Sequence, residues 1–68
     1  MANNDRYSSV SGFNTPFGFV YLVNGDNMYA MSKGDCRHRI DMLFNGGVIS
    51  KERKSKLIQD LKAIRRGT

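Results

Sequence analysis

Residues 17–32 read Phe17-Gly18-Phe19-Val20-Tyr21-Leu22-Val23, then Asn24-Gly25-Asp26-Asn27, then Met28-Tyr29-Ala30-Met31-Ser32. A β-branched and aromatic run, an Asn-Gly turn and a second apolar run predict an antiparallel hairpin, with strands near 17–23 and 28–32. Asn24 and Gly25 suit the turn because both tolerate a positive φ. In the first strand Phe17, Phe19, Tyr21 and Val23 share one face, and Val20 and Leu22 share the other. Both faces are apolar. One can pack on helices, and the other needs cover from the N-terminal segment, a second subunit or a partner.

Downstream the period changes. Ser32-Lys33-Gly34-Asp35 follows the pattern that opens a helix, with Ser32 capping free amides and Asp35 in the first turn. Cys36, Ile40, Leu43 and Phe44 then form an apolar stripe at helical spacing, and Asn45-Gly46-Gly47 stops it with Gly46 or Gly47 as the left-handed cap. Val48 and Ile49 lead to Ser50, a good cap for a second helix expected over 51–65 and ended by Gly67. Leu57, Leu61 and Ile64 make its apolar stripe. Upstream, residues 1–15 are polar and broken by Gly12, so they read as a flexible arm ahead of Pro16. The expected organisation is an arm over 1–15 and a single small α+β domain over 16–68, an antiparallel hairpin followed by two helices (ββαα).

Sixty-eight residues support one domain with a small core. Such chains usually add disulfides, a metal or another subunit. The single cysteine, Cys36, forms no internal disulfide, and Cys36 with the single histidine, His38, is half a zinc site. Self-association or an efficient core remains as the source of stability, and a homo-oligomer is expected. No apolar run is long enough to span a membrane. The polar start lacks the layout of a secretory signal, and one unpaired thiol fits a reducing cytoplasm.

The residues argue against an enzyme, a metal or a cofactor. His38 points away from the apolar stripe beside Arg37 and Arg39, and reads as a surface histidine. Cys36 lies on the stripe and reads as a buried thiol, although its first-turn position would favour the thiolate. The six acidic residues show no paired-carboxylate spacing, and the glycines form no phosphate-binding loop of the Gly-x-x-x-x-Gly-Lys type.

Charge carries the functional expectation. Residues 1–34 hold Arg6 and Lys33 against Asp5 and Asp26, whereas residues 35–68 hold nine Lys or Arg against four acids, which is the whole net charge of +5. A basic half joined to a neutral half implies an acidic partner. On the second helix Lys51, Ser55, Lys62 and Arg66 fall on one flank, bordered by Arg65. Arg37, Arg39, Lys51, Lys62, Arg65 and Arg66 are therefore the candidate phosphate contacts of a nucleic-acid-associated binding or regulatory protein. The alternative is an adaptor or inhibitor that docks on an acidic protein surface through Phe17, Phe19 and Tyr21, since aromatic side chains dominate interface energies.

Two resemblances accompany this reading. Met28 to Ser32 as a strand and Gly47-Val48-Ile49-Ser50 as a link between helices resemble the ribbon-helix-helix DNA-binding proteins over about residues 28–66. That resemblance implies a dimer whose paired strands enter the major groove. The family places apolar residues four and five after the cap serine, where Lys54 and Ser55 stand here. Gly47-Val48-Ile49-Ser50-Lys51-Glu52 is also similar to the link of short C-terminal oligomerisation modules. The protein-binding alternative is of the kind found among small basic phage proteins that block host or nucleic-acid-handling complexes.

Overall fold

In a computed structural model, which describes residues 6–65, the element order is ββαα: β1 (Val10–Thr15), β2 (Gly18–Val23), α1 (Lys33–Asn45) and α2 (Lys51–Ala63). The order matches expectation, but the hairpin lies one strand upstream. Its first strand comes from the segment expected to be an arm. β1 and β2 pair antiparallel from Val10↔Val23 to Thr15↔Gly18.

The shift follows from two turns. Thr15-Pro16-Phe17-Gly18 carries proline in the second place and glycine in the fourth, the residues a tight type I turn prefers. Gly18 takes φ +120°, and the Thr15 hydroxyl both accepts from the Phe17 amide (3.1 Å) and donates to the Gly18 carbonyl (2.8 Å). Pro16 is thus the bend of the hairpin, not its boundary. The Asn24-Gly25 turn also forms, with Gly25 at φ +91° and the Asp26 amide donating to the Val23 carbonyl at 2.9 Å. It does not return a full strand. Asp26 is drawn toward α1 by Arg39, whose guanidinium donates to both carboxylate oxygens at 2.6 and 2.9 Å. Helix α1 then begins at Lys33, which leaves little chain to pair. Only Ala30 pairs, exchanging two 2.8 Å backbone bonds with Tyr21. Met28–Ser32 is therefore not a ribbon strand, and the likeness to ribbon-helix-helix proteins ends there.

The helices form where expected. Ser32 caps α1 by accepting from the Asp35 amide (3.0 Å), and Ser50 caps α2 by accepting from the Arg53 amide (3.1 Å). Helix α1 ends in a Schellman turn. The Val48 amide reaches the Leu43 carbonyl (2.9 Å), the Gly47 amide reaches Phe44 (3.0 Å), and Gly47 sits at φ +77°. Helix α2 stops at Ala63, two residues short of expectation, and the expected stop at Gly67 lies outside the described residues. The link 46–50 folds the helices into a hairpin that covers one face of the sheet, with α1 against β2 and α2 against β1.

The core is Val10, Tyr21 and Val23 from the sheet, Cys36 and Ile40 from α1, Ile49 from the link, and Leu57 and Leu61 from α2. Gly12 lets the layers close. A Cβ there would stand 2.7 Å from Ile64 Cγ2 and 2.8 Å from the Phe19 ring, nearer than such atoms approach. Cys36 is inert by placement. Burial, aided by the Asp26 charge, pushes its thiol up to about 11, so desolvation outweighs the helix dipole. Among the described residues no helix is long and apolar enough to cross a membrane.

Candidate nucleic-acid interface

The basic residues divide by what they hold. Arg53 donates to the carbonyls of Arg6 (3.3 Å) and Tyr7 (3.0 Å), and Lys56 donates to the Ser8 carbonyl (2.9 Å) and pairs with Asp60 (3.1 Å). These two tie the segment ahead of β1 onto α2. Tyr7 there occupies φ +57°, a conformation an L-residue keeps only when its surroundings hold it. Lys54 pairs with Asp41 (3.4 Å) and lies 4.6 Å above the Phe44 ring, bridging the helices. Arg6 donates to the Gly25 carbonyl at 2.9 Å and to the Tyr7 hydroxyl.

Arg39, a candidate phosphate contact, belongs to this structural set. Its fork is occupied by Asp26, whose side chain is 5% exposed. The hydrogen bonds from Arg39 hold the Asp26 carboxyl below its ordinary range against the opposing effect of burial, and the Asn27 amide adds to them. The pair raises the Arg39 pKa in turn. Spending Arg39 on a phosphate would strand a covered carboxylate, so this residue is corrected from ligand contact to loop anchor.

Of the remaining described cations, Arg37, Lys51, Lys62 and Arg65 are exposed and Lys33 is half-buried. Arg37 and Lys62 come together, a grouping that the charge pattern along α2 alone does not give. They line a cleft of about 210 Å³ between the first turns of α1 and the last turns of α2, with Lys33, Gly34, Ile58 and Leu61. No acid lines it. Ile58 and Leu61 supply an apolar floor. Lys33 and Arg37 stand one helical turn apart on α1, and Lys33 Nζ donates to the Lys62 carbonyl (3.4 Å) at the negative end of α2. Lys33 belongs to the neutral half of the chain, so overall charge does not point to it. Its i, i+4 spacing from Arg37 is the signal that finds it.

Lys51 is exposed but sits eleven residues before Lys62, about 16 Å along the helix. Arg65 is exposed just past the end of α2 and is not part of the cleft, and Arg66 lies outside the described residues. A small-molecule site usually encloses about 300–1,000 Å³, and this open, largely apolar cleft is smaller than that.

The aromatic candidates do not share an exposed face. Tyr21 is 1% exposed in the core, and half-buried Phe19 packs edge-on against it at 5.3 Å, so neither stands free as a partner anchor. Phe17 is 87% exposed at the hairpin tip. The exposed rings sequence reasoning missed are Phe13 and Tyr29, which meet edge-on at 5.7 Å on the sheet face away from the helices, flanked in sequence by exposed Met28 and Met31. Phe13 enters this group because β1 pairs it with Val20. Comparison with protein-family models, curated proteins and solved structures finds no match to this chain.

Proposed function

We propose that this chain is a small non-enzymatic protein that binds nucleic acid, with Lys33, Arg37 and Lys62 as its principal phosphate contacts. The observation that carries the reading is the acid-free, apolar-walled cleft that these three basic residues border from two helices. The other basic side chains with partners serve the fold. Three phosphate contacts give a salt slope of about −2 on a single strand and slightly more on a duplex. Fluorescence anisotropy with labelled oligonucleotides at 50 and 200 mM salt tests this. Replacing Arg37 and Lys62 with Glu weakens binding and flattens the slope by about two contacts. Wild type without salt-dependent affinity for any strand ends the reading.

A second reading, a protein-binding adaptor or inhibitor, is favoured by the exposed Phe13, Phe17 and Tyr29. It expects capture of a protein from lysate that survives nuclease treatment. The same apolar surface and the small core also favour self-association at micromolar concentration, which sedimentation measures. A single free, buried thiol fits a reducing, cytoplasmic setting.

A further inference from the structure

The basic cleft and the exposed rings are joined by one short, fixed segment. Tyr29 and Lys33 are four residues apart, at most about 14 Å at full extension. Both ends of that segment are held. Ala30 is bonded to Tyr21 by two backbone hydrogen bonds of 2.8 Å, and Ser32 caps α1. Tyr29 is 58% exposed, with its ring edge-on to Phe13, and Lys33 opens onto Arg37 and Lys62.

Resting on the function proposed above, we infer that the nucleic acid recognised is single-stranded, with its phosphates on Lys33, Arg37 and Lys62 and a base further along the strand, past the edge formed by residues 30–32, stacked on Tyr29. The chemistry separates single strands from duplexes. A duplex presents phosphates but buries the faces of its bases, so Tyr29, Phe13 and the floor of Ile58 and Leu61 would gain nothing from it. A single strand offers both phosphate charge and open base faces, and the combination of cationic groove and aromatic platform matches both. Because the segment 29–33 is anchored at both ends, ring and cations are arranged before the strand arrives.

The test is a titration of the full chain against a labelled single-stranded oligonucleotide and its duplex form, using wild type, Tyr29→Phe, Tyr29→Leu, Tyr29→Ala and Lys62→Glu. Stacking on one ring contributes about 1–3 kcal/mol, so Tyr29→Ala should lose roughly 5- to 150-fold in single-strand affinity. Its salt slope should stay that of wild type, because no phosphate contact is removed. Tyr29→Phe should bind as wild type. Tyr29→Leu, which keeps apolar bulk without a ring, should behave as Tyr29→Ala and is read in its place if the alanine variant melts early. Equal or tighter binding of the duplex, or single-strand affinity indifferent to the ring while Lys62→Glu still weakens it, overturns the inference and leaves the proposed function standing. No affinity for either strand form overturns both.

Discussion

The Asp26–Arg39 pair determines where the chain goes after β2, and Asp26→Asn is the sharpest way to examine it. The carboxylate receives two bonds from Arg39, at 2.6 and 2.9 Å, and one from the Asn27 amide at 2.7 Å. Asparagine keeps one oxygen acceptor but turns an NH2 toward a guanidinium N–H, so one charge-assisted bond is lost and two donors face each other. Such a bond contributes about 1.5–3 kcal/mol. The Arg39 side chain is 36% exposed and can recover water, so screening places the net cost lower, at about 1–2 kcal/mol. For a domain of this size that lowers Tm by roughly 4–16 °C. The pH dependence has a definite sign. The folded Asp26 pKa is lowered, so its contribution is complete above the unfolded value of about 3.9 and disappears as pH falls through the folded value. The difference in Tm between wild type and Asp26→Asn should therefore be largest near neutrality and shrink in acid. Thermal melts at several pH values, in a cycle with Arg39→Gln and the double variant, measure it. A variant melting within a degree of wild type at pH 7, or a cycle with no coupling, would refute the anchoring role.

Two further outcomes concern the core. Cys36, buried with its thiol pushed up to about 11, should react slowly with a thiol reagent at pH 7–8 and quickly once denaturant unfolds the chain; fast labelling of folded protein would contradict its placement. Leu57 is fully buried, and Leu57→Ala should cost about 2–5 kcal/mol, a large part of the roughly 3–10 kcal/mol expected for a domain this small, which a denaturant titration reads directly.

Local signals were legible because they act over a few residues. Ser32 and Ser50 cap helices wherever an amide-rich first turn follows, and Gly47 ends α1 because only a residue free of Cβ strain accepts its backbone angle. The apolar spacing of Cys36, Ile40, Leu57 and Leu61 set the buried helix faces, and the ββαα order followed. Strand pairing was not legible in the same way. Met28–Ser32 is the more apolar candidate, yet β1, with Ser11, Gly12 and Asn14, is the strand that pairs. Its ladder depends on the turn at Pro16 and on space for Ile64 and Phe19 at Gly12, which are long-range facts.

The sequence by itself determined the two helices, their caps and the excess of positive charge, since each depends on the character of neighbouring residues. Tertiary structure decided how that charge is used. It committed Arg39 to Asp26, Arg53 and Lys56 to backbone carbonyls of residues 6–8, Lys54 to Asp41 and Lys33 to the Lys62 carbonyl, and left Arg37 and Lys62 exposed beside one cleft. It also put Tyr21 in the core and Phe13 and Tyr29 at the surface. A side chain's charge or ring is a local property, but whether it meets solvent or a partner depends on which distant segment folds against it.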